Sequence, residues 1–256
     1  MTSPRLDVQA RLDAYWSARA PAYHHDQTVG DRAVAARAVW ASVWRDALGP
    51  AGSRVLDVGT GSGYVAHLLA DLGHTVSALD SSPGMIDLAR RDAQTRRAAR
   101  LPAAEFHVDD AVRPTAVGAG FDAITSRYLL WTLRDPAAAV HSWSALLNPG
   151  GRIVCVDANW YPDGVDSATL VESSAGPRSF VETYDPPTQQ ALPLANSTGP
   201  SAFADVFRTA GLSEITVRQL DAVVALDARF GVPAGHRSRP QFLISGSLPG
   251  RPPSLR

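Results

Sequence analysis

A chain of 256 residues with 45% hydrophobic and 19% charged residues can bury a large core and is too apolar to be disordered throughout. Its formal net charge of −1, from 24 basic and 25 acidic residues, supplies no overall field for a phosphate backbone, so no nucleic-acid partner is expected. The one cysteine, Cys155, excludes a disulfide framework and a cysteine metal site; no metal is expected, and no stretch approaches the roughly 20 apolar residues of a membrane helix.

Residues 1–12 lack the apolar centre of a signal peptide, and the expected location is cytoplasmic, with no membrane partner. Residues 5–20 place Leu6, Leu12 and Trp16 at helical spacing, and Pro21 should stop or bend that helix. A second helix is predicted over 31–48, ended by Gly49-Pro50. From Arg54 onward strands and helices alternate: strands over 55–58, 75–79, 105–108, 121–126 and 152–156, helices over 64–72, 83–97 and 137–147. Short apolar, β-branched runs separated by helices predict an α/β, doubly wound, mainly parallel sheet covered on both faces.

Residues 159–200 break the rhythm with Pro, Gly, Ser and Asp among scattered aromatics. Forty residues of bare loop are unusual in a compact domain, so short helices and a covering role over the binding face are expected there. A helix over 201–210, strands over 215–220 and 241–245 and a frayed tail over 250–256 complete a seven-stranded reading. One domain of four parts results: an N-terminal helical cap or lid (1–50), a core (53–157), a cover insertion (158–200) and a C-terminal part (201–247).

The core opens on Val55-Leu56-Asp57-Val58-Gly59-Thr60-Gly61-Ser62-Gly63, a buried strand running into a glycine loop at a helix start. Such a loop exposes backbone N–H groups and lets a nucleotide-like ligand approach the main chain. The dinucleotide fingerprint Gly-x-Gly-x-x-Gly is incomplete, because Tyr64 stands at its third glycine. The carboxylate of Asp57 would repel a pyrophosphate and suits a ligand bearing an ammonium group.

The stretch VLDVGTGSGYVAHLLADLGHTVSALDSSPGM resembles the N-terminal half of class I S-adenosylmethionine-dependent methyltransferases. The turn Leu147-Asn148-Pro149-Gly150-Gly151 resembles that family's Leu-x-Pro-Gly-Gly. The resemblance implies a Rossmann-like methyltransferase fold, S-adenosyl-L-methionine as cofactor and S-adenosyl-L-homocysteine as product. It also implies roles. Gly59, Thr60, Gly61 and Gly63 would cradle the donor, with Asp57 organising its ammonium end directly or through neighbours. Asp80 would meet the ribose, Met85 the adenine, and either Asp109 or Asp110 the adenine amino group, with Ser81 and Ala111 also among the cofactor-binding residues. Arg127 would hold the methionyl carboxylate, or alternatively pair with Asp122 or Asp135.

Tyr15 to Tyr23 is similar to the aromatic N-terminal segment of small-molecule methyltransferases, although His24 follows where that pattern has aspartate. Tyr23, His24 and Trp131 are the catalytic candidates; Tyr15, Trp16, Trp131, Trp160 and Tyr184 are those for the acceptor. A base, if one is used, would come from His24, His25, His141 or His236. The C-terminal portion resembles that of small methyltransferases of actinobacterial natural-product biosynthesis. The expected reaction is methyl transfer to carbon, nitrogen or oxygen of a specialised aromatic small molecule, an indole alkaloid among them, by a monomer or homodimer. The alternatives are an NAD(P)-dependent oxidoreductase and an S-adenosylmethionine-binding protein with another reaction.

Overall fold

A computed structural model describes residues 4–165, 179–232 and 238–249. Two helices come first, α1 (Pro4–Thr28) and α2 (Asp31–Leu48). The core follows as β1 (Arg54–Val58), α3 (Tyr64–Asp71), β2 (Thr75–Asp80), α4 (Pro83–Ala98), β3 (Glu105–Val108), β4 (Phe121–Arg127), α5 (Pro136–Ser144) and β5 (Leu147–Ala158). Short helices α6 (Phe180–Thr183) and α7 (Pro186–Gln190) lie in the expected cover segment. After them come α8 (Ser201–Thr209), β6 (Ser213–Gln219), α9 (Asp221–Phe230) and β7 (Gln241–Ser247). Residues 166–178 of the cover segment, His236 and the tail over 250–256 lie outside the described residues.

The sheet has seven strands in the order β3-β2-β1-β4-β5-β7-β6, parallel except for β7, which runs antiparallel to both β5 and β6. The chain leaves the β3 edge and re-enters beside β1, so the order reverses between β1 and β4. Loops leaving the carboxyl ends of those two strands diverge and open a crevice, the place where ligands bind in open α/β sheets. Apolar side chains cover both faces. One cluster joins α1, α5, α8 and the cover segment; the other joins α2, α3, α4 and α9.

Three elements differ from the sequence reading. First, α1 runs through Pro21 to Thr28. Pro21 has no N–H to give to the carbonyl four residues back, that of Ser17. That carbonyl instead faces Gly84 at the start of α4, where a Cβ would come within 2.6 Å of the Ser17 oxygen. The Ser17 hydroxyl lies 2.9 Å from that of Ser82 and accepts from the Gly84 N–H. Tertiary contact therefore absorbs the defect that the proline makes.

Second, β5 begins at Leu147, because Pro149-Gly150-Gly151 forms a bulge inside the strand: Phe121 pairs with Leu147 and Ala123 with Arg152. Third, α9 lies between the last two predicted strands, where no element was assigned; no side chain caps its N-terminus, and Gly231, at φ 74°, ends it.

Docking of α1 should depend on the missing side chain at Gly84. Although alanine favours a helix interior, Gly84→Ala is expected to cost about 1 kcal/mol or more by forcing α1 from α4, and to expose α1 to protease. Urea unfolding and limited proteolysis measure this; unchanged stability and cleavage would show that the contact does not hold α1.

Candidate functional site

The crevice holds two adjoining cavities, of about 710 and 1110 Å³ with the open solvent at their mouths included. The first lies over the glycine loop. Its lining includes Gly59, Gly61, Asp80, Ser81, Met85, Asp110, Ala111 and Arg127, and from α1 Gln9, Leu12, Asp13, Trp16 and Tyr23. A small recess below it is lined by Asp57, Thr60, Gly61, Tyr23 and Arg127.

Asp57 ends β1 almost wholly buried. It accepts hydroxyl hydrogen bonds from Thr60 (2.6 Å) and, across the crevice, from Thr125 on β4 (2.8 Å). Burial pushes its carboxyl up to about 6 against the pull of those hydroxyls and of Arg127. Both oxygens thus serve the protein, and Asp57 reaches the cavity through Thr60 and the loop it fixes.

Asp80, at the end of β2, accepts the N–H groups of Gly61 (2.8 Å) and Ser82 (2.9 Å). Burial, with a contribution from the Asp13 charge, lifts it to about 6 although both N–H groups favour its ionised form. The hydroxyl of Ser81 donates to Asp13 (2.6 Å), which ties α1 to the cavity rim.

The three loop glycines divide their work. All have left-handed φ, of 67°, 57° and 88° in chain order. A Cβ on Gly59 would strike Leu129 at 2.7 Å, whereas one on Gly61 would make only ordinary contacts, with Tyr23 at 3.5 Å and the Met85 sulfur at 3.9 Å. Gly61 therefore leaves its space to the cavity. Gly63 lines none of the three spaces, and its missing side chain makes room for Phe106 and Ala89 beneath the loop.

Of the two acids after β3, Asp110 lines the cavity and pairs with Arg134. Asp109 turns away, accepting from Thr115 and Ala116 N–H groups at 2.6 and 2.7 Å, and organises the following loop. Arg127 pairs with neither Asp122 nor Asp135. Asp122 accepts from the Arg54 N–H and Asn148, and Asp135 caps α5. The guanidinium of Arg127 lies 4.9 to 5.0 Å from the ring centres of Trp40, Tyr64 and Tyr128 and donates to Gln27 (2.7 Å). Aromatic faces hold the cation in place without neutralising it.

The second cavity is an aromatic chamber, with Tyr15, Trp16, Tyr23, Trp131, Trp160 and Tyr161 in its walls. Trp16, Tyr23, Arg127 and Tyr128 line both cavities, so the two spaces meet there. Tyr184, expected to touch an acceptor, is wholly buried behind the wall. Its ring stacks on Trp131 (4.9 Å, 28°), and its hydroxyl accepts from the Trp16 indole N–H at 3.1 Å. It sets the wall and is not part of its surface. His24 also stands outside both linings, its Nδ1 3.0 Å from the Ser62 hydroxyl of the glycine loop.

The sequence reading missed Asp157. This carboxylate, wholly buried at the end of β5, accepts from the Trp131 N–H (3.2 Å), the Ala158 N–H (2.9 Å) and the Trp160 indole N–H (2.8 Å), fixing two walls of the chamber. Its place at a strand's carboxyl end, as for Asp57, was the available signal. Also missed were Arg19, Gln27 and Arg32; Tyr15, Arg19 and Tyr23 recur every four residues and share one face of α1. Arg239 and α9, with Val223, Leu226 and Asp227, close the far side.

A family profile described as "Methyltransferase domain" matches residues 32–216. The ubiquinone biosynthesis O-methyltransferase of Xanthomonas axonopodis pv. citri is 34% identical over 116 residues, 45% of this chain and 47% of that protein. The demethylmenaquinone methyltransferase of Renibacterium salmoninarum is 32% identical over 168 residues, 64% of this chain and 62% of its own. The chain thus spans about half the length of the curated relatives it matches. Among solved structures, magnesium protoporphyrin IX methyltransferase from Synechocystis PCC 6803 with bound SAM superposes with a TM-score of 0.61 at 16% identity, over 96% of this chain and 99% of that one. Geranyl diphosphate C-methyltransferase from Streptomyces coelicolor A3(2) gives 0.59 at 18% identity, over 82% and 80%. At such identities these two establish the shared fold.

Burial raises the Asp157 carboxyl to about 7, outweighing the N–H groups of Ala158, Trp160, Trp131 and Leu130. A folded-state value above the unfolded one favours folding most below about pH 4, and that contribution is lost as pH rises to about 7. Relative to Asp157→Asn, the wild type should lose up to about 1.4 kcal/mol of stability per pH unit across that window. Urea unfolding from pH 4 to 8 measures it, and parallel curves would refute the shift.

Proposed function

The chain belongs to the methyltransferase-domain family, and from that premise we propose that it transfers a methyl group from S-adenosylmethionine to an aromatic small molecule. The observation that carries this reading is the junction at Trp16, Tyr23, Arg127 and Tyr128, where the cavity over the glycine loop opens into the aromatic chamber. A donor site and an acceptor site must meet at the transferred carbon, and here two cavities of different chemistry share a wall.

The first cavity suits the donor in its set of groups. Gly61 leaves the main chain open, Asp80 retains oxygen lone pairs for ribose hydroxyls beside its two N–H partners, and Met85 and Ala111 offer an apolar surface for adenine. Asp110, rather than Asp109, is the acid available to an adenine amino group. Arg127 is the cation for the methionyl carboxylate, and Asp57 acts through Thr60. When bound, S-adenosylmethionine supplies the electrophilic methyl on a sulfonium.

The chain's own residues then do three things. Tyr23 and Trp16 present aromatic surface at the junction, worth about 0.5 to 2 kcal/mol for a cation. The walls set by Asp157 and Tyr184 orient a flat acceptor, and α1 excludes water from both spaces. Among the described residues no histidine lines the chamber, and His236 lies outside them. His24 is better read as a support for the glycine loop, through Ser62.

Calorimetry with S-adenosylmethionine, S-adenosylhomocysteine and NAD tests the donor. Asp80→Ala should weaken binding of the first two about 10- to 100-fold, since charge-assisted hydrogen bonds contribute about 1.5 to 3 kcal/mol. Binding of NAD alone, or unchanged affinity in the variant, would sink the donor assignment.

A further inference from the structure

Tyr128 bends the chain in a way its residue type resists. It is the first residue after β4, and its φ of 62° lies in the left-handed region, where a bulky L side chain is strained and glycine is not. Among the described residues, Arg100 and Glu214 are the other non-glycine residues with positive φ; both are exposed, one in the turn after α4 and one in the irregular start of β6. Tyr128 instead stands in the crevice and lines both cavities. Strain of this kind persists where the surrounding contacts over-determine it.

Those contacts run to both sites. The Tyr128 N–H donates to the Val156 carbonyl of β5 (2.8 Å), and its own carbonyl accepts the Trp131 indole N–H (3.0 Å). Its ring lies 4.9 Å from the Arg127 guanidinium and meets Trp160 edge to face at 5.0 Å and 87°. Its hydroxyl donates to the Gln241 carboxamide oxygen at 2.5 Å. Arg127 is the cation assigned above to the donor, whereas Trp131, Trp160 and Gln241 line the chamber alone. Successive side chains of a strand point to opposite faces, so Arg127 and Tyr128 would diverge if β4 continued through both. The left-handed turn brings the ring back to its neighbour.

Resting on the methyltransferase reading, we propose that Tyr128 is a positioning residue. Its ring holds the Arg127 guanidinium where that group receives the methionyl carboxylate of the donor. The same ring, with the Tyr128 carbonyl, sets the Trp131 and Trp160 walls, so one strained residue fixes the donor and acceptor sites relative to each other. Glycine would make the turn without strain and leave Arg127 only Trp40 and Tyr64 as aromatic support.

The test is calorimetry on the full chain with two ligands. S-adenosylhomocysteine carries the carboxylate on its amino-acid end; 5′-methylthioadenosine has the same adenosine and thioether without that end. Tyr128→Leu should weaken S-adenosylhomocysteine about three- to ten-fold and 5′-methylthioadenosine less than about two-fold. Tyr128→Phe, which keeps the ring, should restore S-adenosylhomocysteine affinity to within about two-fold of the wild type. In an Arg127→Gln background Tyr128→Leu should have no further effect, because a residue that acts through Arg127 then has nothing to position. On the chamber side, the near-ultraviolet circular dichroism of the packed tryptophans should weaken in Tyr128→Leu and persist in Tyr128→Phe. Equal loss for both ligands, unchanged S-adenosylhomocysteine affinity in Tyr128→Leu, a full effect in the Arg127→Gln background, or an unchanged tryptophan spectrum would overturn the proposal. A wild type that binds no S-adenosylhomocysteine would instead overturn the methyltransferase reading on which the proposal rests, a result distinct from wild-type binding that Tyr128→Leu leaves intact.

Discussion

The hydroxyls that Thr60 and Thr125 donate to the buried carboxylate of Asp57 hold together the strand, the loop and the neighbouring strand from which the crevice is made. Without them the loop after β1 would keep its main-chain bonds, such as that of the Thr60 N–H to the Leu79 carbonyl, and its contacts with Asp80 and His24, but would lose its tie to the ends of β1 and β4. Left-handed φ at three glycines costs conformational entropy that this anchoring offsets. The carboxylate costs something in turn, since burial raises its proton affinity. A neutral apolar residue would pack there with less penalty and leave the Thr125 hydroxyl, wholly buried, without this acceptor.

Asp157 repeats the arrangement two strands away. Asp57 spans β1 and β4 through hydroxyls, whereas Asp157 gathers N–H groups from Trp131 and Trp160, two residues of the chamber lining. Two buried acids at strand ends thus rigidify two sites of different chemistry, one polar and built of backbone, the other aromatic. In each case the geometry is determined by hydrogen bonds to a carboxyl group that water does not reach, and burial that raises its proton affinity also strengthens the bonds it accepts.

Much of the first site was legible in the sequence because its information is local. Asp57 through Gly63, Asp80 with Ser81, and Met85 fall within one βαβ unit, where alternation of strand and helix fixes which residues share the sheet's carboxyl edge. The choice between Asp109 and Asp110 was not legible, since it turns on which side chain the next loop captures. The clearance that Gly63 gives to Phe106 was not legible either, because clearance for a ligand and clearance for a packed ring look alike in sequence. The chamber was hardest: its walls come from α1, the loop after β4, the cover segment, α9 and Arg239, brought together only by packing. Aromatic residues could be named, but Tyr184 and Tyr161 differ in burial by tertiary contacts alone.

Helix α1 joins the two sites, and its geometry follows from one local fault. Pro21 denies the Ser17 carbonyl its helical partner, and Gly84 provides the only kind of surface, one without a side chain, against which that carbonyl can rest. Trp16 and Tyr23 on either side of this contact line both cavities, and Asp13 reaches the rim beside Ser81. The seat on α4 therefore fixes the boundary between the cavities as well as their roof. A shift of α1 by the width of one methyl group would move the aromatic wall of the junction, the position to which in-line transfer is most sensitive. Gly84 is thus a determinant of the site although it lines neither cavity.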